Sequence, residues 1–413
     1  MLLAASGDLP VARFFLVLAA ILIAGKLAGE AFERLGQPPV LGELLAGILL
    51  GRGLLGLIPV AHDDPLTPVF TLLADAGVAV LLFEIGLEMD LKEMRRVGGG
   101  ATAVALVGVA LPFILGVLYD RFALPESLLE PGSDRMAVSV YIGAALTATS
   151  VGITARVLAD LHRMRSTEAR LILGAAVIDD VLGLVILGVV SGFVAGSVVT
   201  IVGVGESLAV AFGFLIVAVL VGVRLAPQVL EVVEHMRGRG VFVTVAVGSL
   251  LAMGAVAGLA GSASIIGAFA TGLVFAGTKQ RHRIAEQMRP VSDVFTPIFF
   301  LYIGATVDLS AWNPFDPRGR VTLLVGGALT AIAIIGKLAS GWAVPWRRFN
   351  RWAVGLGMMP RGEVGLIFAQ IGLGTGLLSP ALFSAILLMV IVTTLLAPPL
   401  LTVAFRHVPA AAA

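Results

Sequence analysis

This chain of 413 residues is short of cysteine and of charge. It has no cysteine at all, which excludes disulfides, thiolate-held zinc and iron–sulfur clusters. Only 13% of positions are charged, about half the share of an ordinary soluble domain. Against that, 58% are hydrophobic, and the 50 glycines come on top. A soluble fold of this composition would present large apolar patches to water. The net charge of +1 leaves no basic face for nucleic acid and no acidic tail. The composition is that of a polytopic membrane protein. The first apolar stretch, Val11 to Ala28, follows Asp8 rather than a basic segment and lacks a convincing cleavage site, so it reads as a retained span.

Apolar runs long enough to cross about 30 Å of hydrocarbon recur along the chain. They lie near 11–34, 39–57, 68–88, 98–119, 137–160, 168–191, 198–224, 239–259, 262–277, 291–308, 320–342, 352–376 and 381–405, thirteen in all. No connection has room for a separate soluble domain; the longest runs from about Asp120 to Arg135. Loops taken alternately from the one after the first span hold 18 of the 28 Lys and Arg residues, and the opposite loops hold 6. Cationic loops stay cytoplasmic, so the N-terminus is expected outside and the C-terminus inside.

Four cations remain within spans: Lys26, Arg156, Lys337 and Arg361. The acids there include Glu43, Glu84, Glu88, Asp179, Asp180 and Glu363. Each such charge costs about 2.5–3.5 kcal/mol on insertion scales and usually faces a protein interior. Lys26, Glu43 and Glu88 lie near span ends, where snorkelling or interfacial pairing accounts for them. Glu84 is deeper, and reads equally as a site residue or as a hydrogen-bonded structural acid.

Asp179 and Asp180 differ in kind. They sit about eleven residues into the sixth span, roughly 17 Å at 1.5 Å per residue, close to the midplane. Two adjacent carboxylates cannot both stay ionised there without a cation or proton nearby. Neighbouring helix positions diverge by about 100°, so the two acids address different surroundings. Proton relays and ion pathways in membranes are built from such groups.

With the seventh span set aside as a linker, spans 1–6 and 8–13 form two oppositely oriented halves. Transporters built this way place their sites where matching spans lose regular helix. The fifth span of the second half carries Met358-Met359-Pro360-Arg361-Gly362-Glu363-Val364-Gly365, in which proline removes a backbone donor and the glycines loosen the chain. Its counterpart carries Thr147-Ala148-Thr149-Ser150-Val151-Gly152. Small residues here also suit plain helix packing, but the matched depth favours an interruption in both. Lys337, in the eleventh span, is a natural partner for a buried aspartate: burial favours its neutral amine and a carboxylate favours its ammonium.

These residues resemble the second branch of the monovalent cation:proton antiporter superfamily, the bacterial sodium/proton antiporters with thirteen spans and an Asp-Asp pair. The resemblance rests on Gln37-Pro38-Pro39-Val40-Leu41-Gly42-Glu43, Thr149 to Arg156, Ala175 to Gly183, Thr296-Pro297-Ile298-Phe299-Phe300 and Pro360 to Gly365, and covers essentially the whole membrane domain. It implies an all-α membrane protein of 13 transmembrane helices, two inverted repeats of six and a linker helix, with two discontinuous helices (137–160 and 352–376) crossing at the ion site. It further implies dimer-domain helices in 1–95 and 236–310, a linker in 193–235, and a moving core in 96–192 and 311–413, with the Asp pair on 168–191. Asp180 is then the carboxylate that binds Na+ or a proton, Asp179 pairs with Lys337, and Thr149 and Ser150 lie by the cation. Arg156, Arg361 and Glu363 are supporting charges. A homodimer in the bacterial inner membrane is implied, with no cofactor beyond the transported Na+ and H+ and no enzymatic activity.

The expected activity is electrogenic exchange of cytoplasmic Na+ (or Li+) for external H+ by an elevator-like movement. A K+/H+ or Ca2+/H+ exchanger of the same fold is the nearest alternative, and a cation channel a further one. Relatives gated by glutathione or nucleotide carry a long soluble domain after the last span, which is not expected after Arg406 here. An intramembrane aspartyl protease needs acids meeting from different helices, and the two deepest acids here are adjacent on one.

Overall fold

Helix starts follow local chemistry. Asp134, Asp316 and Asn350 each stand just before a helix and accept from its first backbone N–H groups: Met136 at 2.8 Å, Arg318 at 3.0 Å and Ala353 at 3.1 Å. Such caps satisfy donors that a helix leaves open at its N-terminus. Pro39 and Pro317 take first-turn positions where a missing N–H is no loss.

The computed structural model describes residues 9–52, 54–61, 63–89, 98–130, 132–164, 166–194, 201–236, 238, 240–260, 264–346 and 348–405. Some helical side chains within these ranges also lie outside the description, those of Arg156, Asp180 and Glu363 among them. Of the loop cations that set orientation, Lys92, Arg95, Arg96, Arg165, Arg237, Arg239, Arg347 and Arg406 lie outside it as well.

The described residues form an all-helical membrane fold. In chain order the helices are α1 (Leu9–Arg34), α2 (Pro39–Leu50), α3 (Thr67–Glu88), α4 (Gly99–Ala123), α5 (Arg135–Ala145), α6 (Val151–Asp160), α7 (Thr167–Val194), α8 (Ile201–Glu234), α9 (Val241–Leu259), α10 (Ser264–Ala276), α11 (Arg281–Ala305), α12 (Pro317–Ser340), α13 (Arg351–Gly357), α14 (Glu363–Gly374) and α15 (Pro380–Phe405). Among the described residues, seven helices are long and apolar enough to cross a membrane, and α2, α5, α10 and α14 supply shorter apolar helices. Large apolar side chains such as Phe15, Leu16, Leu72, Leu324 and Ile335 are exposed, as a protein surrounded by lipid tails permits.

The chain divides into two compact units. The first comprises Met1–Glu88, Val217–Ala257 and Gly267–Ser310. Within it α11 packs along α2 and α3, and α1 along α2. Gly47 and Gly304 let the backbones of α2 and α11 touch, since a Cβ at either would overlap the other helix's carbonyl. A second cluster joins Phe83, Leu230, Phe242, Leu250, Phe275, Ile284 and Met288.

The second unit comprises Met89–Ile216, Gly258–Ile266 and Ala311–Ala413. Here α12 packs against α4 and α15, and α4 also packs against α5 and α7. Leu158, Ile172, Ala175, Val354, Met358 and Leu401 share one buried cluster. The helix read as a linker, α8, contributes to both units, divided after Ile216.

Three boundaries depart from the spans read in the sequence. α2 ends at Leu50, seven residues short of the expected run, because Gly51 and the left-handed Gly56 (φ 60°) turn the chain back so that Leu57 N–H bonds Leu50 O at 2.8 Å. α11 begins at Arg281, ten residues before the apolar run. Its first turns are charged, but Ile284 and Met288 are buried four apart on one face. α8 continues to Glu234 for the same reason, with Ala226, Leu230 and Val233 turned inward.

Candidate functional site

α7 carries Asp179 and Asp180 inside a 28-residue helix, and α12 carries Lys337. Asp179 and Lys337 are both buried. The Lys337 ammonium donates to both carboxylate oxygens of Asp179, at 3.0 Å to Oδ1 and 3.1 Å to Oδ2. A buried ion pair of this kind holds only while both partners remain, because removing one strands the other's charge away from water.

Two non-helical segments lie in the same unit. Residues 146–150 separate α5 from α6, and residues 358–362 separate α13 from α14. The first segment donates to carbonyls of the second that a continuous helix would have satisfied internally. Ser150 N–H donates to Pro360 O at 2.8 Å, and the Thr149 hydroxyl donates to Met358 O at 3.2 Å. The Thr154 hydroxyl reaches Gly357 O at 2.7 Å. Farther out, the Tyr141 hydroxyl donates to Phe368 O at 2.7 Å, with the two rings edge to face. At depth, irregular backbone is tolerated only where protein satisfies it. The approach demands glycine at 362, since a Cβ there would stand 2.6 Å from both Cβ and Oγ of Ser150.

Arg361, on the second of these segments, is fully buried. Its guanidinium donates to Ala148 O at 2.5 Å and to Ala333 O of α12 at 3.4 Å. The Thr394 hydroxyl of α15 donates to the Arg361 carbonyl. The structure therefore brings Asp179, Lys337, Thr149, Ser150 and Arg361 into one unit. The side chains of Asp180, Arg156 and Glu363 lie outside the described residues.

Against these observations the comparisons with known proteins decide the family. The family model described as sodium/hydrogen exchanger, transmembrane, matches residues 16–407. The chain belongs to this exchanger family.

Among relatives, the exchanger is similar to the high-affinity Na+/H+ antiporter NhaS3 of Synechocystis, at 38% identity over 96% of this chain and 91% of that protein. It is also similar to the Na+/H+-K+ antiporter GerN of Bacillus cereus, at 35% identity over 95% of this chain and 96% of GerN. The sodium/proton antiporter MjNhaP1 of Methanocaldococcus jannaschii shares the fold, with a TM-score of 0.71, 17% identity, and coverage of 95% of this chain and 97% of that one. The relatives are named as antiporters, which are transporters rather than enzymes.

The exchanger's other unit holds the remaining intramembrane charges. Glu84 of α3 accepts from the Ser292 hydroxyl of α11 at 2.5 Å, and Ser292 in turn contacts the Thr296 hydroxyl at 3.0 Å. A cavity of about 350 Å3 opens beside them, lined by Glu84, Leu87, Glu88, Arg289, Ser292 and Asp293. Lys26 pairs with Asp293 at 3.5 Å, with both side chains exposed.

Sequence reading did not single out Tyr141, Thr154 or Thr394. The adjacent Thr393-Thr394 pair, in an otherwise apolar stretch of α15, was the available signal for the last of these.

Proposed function

We propose that this exchanger expels cytoplasmic Na+, or Li+, in exchange for external H+, electrogenically and by alternating access. Asp180 binds either the cation or a proton, so exchange follows from competition at one carboxylate. Na+ is a hard cation that favours oxygen ligands, as harder divalent ions do. The Thr149 hydroxyl, whose hydrogen is engaged by the Met358 carbonyl, keeps its oxygen lone pairs for such a cation. Ser150 and water complete the set. Arrival of Na+ weakens the Asp179–Lys337 pair and releases a second proton from Lys337 to the cytoplasm.

The observation that carries this reading is the buried Asp179–Lys337 pair, in one unit with two interrupted segments that hold each other. The same interruptions, five residues each, support two discontinuous helices that cross within a thirteen-span fold of two inverted repeats. The division into two units supports an elevator mechanism in which the unit bearing Asp179 moves as the core. The other unit forms the homodimer contact. Loop cations support insertion in the bacterial inner membrane with the N-terminus outside and the C-terminus in the cytoplasm.

Reconstituted protein should move protons against Na+ or Li+ in vesicles, and Asp180→Asn should abolish that movement. Full transport by Asp180→Asn would refute the reading. A second substrate, K+, is favoured by the name of GerN, a Na+/H+-K+ antiporter. The same vesicles, run in turn with Na+, Li+, K+ and Ca2+, separate these cations.

A further inference from the structure

Asp75 is an acid of α3 that the proposed exchange leaves without a task. It lies eight residues after Thr67, the start of a 22-residue span, which puts it about 12 Å inward at 1.5 Å per residue. Its side chain is exposed. Gly77, about 200° around the helix, is the position pressed against α11, where a Cβ would overlap the Phe295 carbonyl. Other acids of the chain have partners: Asp179 has Lys337, Glu84 has Ser292, and Asp64, just ahead of α3, has Arg13 at 2.6 Å. Among the described residues no hydrogen bond or ion pair holds Asp75. Thr71, one turn earlier, has its hydroxyl engaged with that of Tyr302 at 2.8 Å.

An unpaired carboxylate is too costly against lipid tails, so charges at membrane depth face protein or water. An exposed acid with no partner among the described residues points to water. Under the orientation proposed above, on which this inference rests, α3 enters the membrane from outside, and that water is external. A carboxylate in such a recess enriches cations in the solution beside it.

We propose that Asp75 lines a water-filled recess on the external face of the first unit and concentrates Na+ there. It does not ligate the exchanged ion; its charge raises the local supply. One charge about 7 Å from a cation in water changes the local concentration about threefold.

The absence of cysteine gives a clean background for the test. Asp75→Cys in right-side-out membrane vesicles should react with a membrane-impermeant, ammonium-bearing thiosulfonate added outside, because the reacting thiolate forms only in contact with water. No reaction from outside, or reaction only in inside-out vesicles, would overturn the inference. Asp75→Asn should raise the external Na+ concentration for half-maximal exchange, run from outside, about threefold at low ionic strength. The dependence on cytoplasmic Na+, read in inside-out vesicles, should not move. The rise should vanish in about 0.5 M choline chloride, where charges are screened within a few ångströms. An unchanged external dependence, an equal rise on both faces, or a rise that persists in salt would overturn the role given to Asp75. If Asp75→Asn fails to fold, two labels on Asp75→Cys decide. A sulfonate-bearing thiosulfonate restores a negative charge and should restore the unaltered half-saturation, whereas the ammonium-bearing label should raise it. Equal values for the two labels would overturn the inference. The labelling also runs in Asp180→Asn, so a refuted exchange site and a refuted recess give different results.

Discussion

Replacing Lys337 by methionine keeps the length of the side chain and removes its charge. Asp179 would lose two charge-assisted hydrogen bonds, of 3.0 and 3.1 Å, at a position with 1% exposure. Breaking a buried pair on one side costs about 3–5 kcal/mol, whereas replacing both partners with neutral groups is often close to neutral. At about 2 °C per kcal/mol for a large domain, the single variant should melt roughly 6–10 °C lower. Asp179→Asn should also destabilise, since it strands the ammonium. Asp179→Asn combined with Lys337→Met should recover most of the loss. Thermal unfolding of the four proteins in one detergent closes a double-mutant cycle, and contacting charges should couple by about 2 kcal/mol or more. Single variants that melt within about 1 °C of the unaltered protein, or effects that simply add within about 0.5 kcal/mol, would refute the reasoning.

Gly362→Ala should sharply reduce exchange and stability, because the added methyl meets Ser150 at 2.6 Å where the two segments touch; near-normal transport and melting would show that this contact can yield. Thr149→Val removes an oxygen while keeping the shape, and should raise the Na+ concentration for half-maximal exchange about tenfold, the scale of one lost hydrogen bond to a charged group. An unchanged Na+ dependence would take Thr149 out of the cation's surroundings.

Much of the site is legible in residue chemistry alone. Asp179 and Asp180 announce themselves because adjacent acids deep in an apolar run have few bland explanations, and Pro360 with Gly362 marks a place where a helix cannot run on. The partner of Asp179 is a different matter. No spacing rule connects residues 179 and 337, and their pairing was expected only through resemblance to a family. Thr394 and Thr154 are hard to read because hydroxyls in apolar helices usually bond their own preceding turn, as Thr393 does at Met389 O. Here they cap carbonyls of another segment, which only the fold reveals. The early start of α11 was hidden by its charges, since hydropathy sees Arg281 and Arg283 but not the buried stripe of Ile284 and Met288. The sequence alone leaves Glu84 open between two roles, because its Ser292 partner lies 208 residues away.

The most direct test of competition between Na+ and H+ is proton release on binding. Purified protein in weakly buffered detergent solution should acidify the medium when Na+ is added, by more than one proton per bound Na+, and Asp180→Asn should release none. Na+ binding without proton release by the unaltered protein, or undiminished release from Asp180→Asn, would contradict the account.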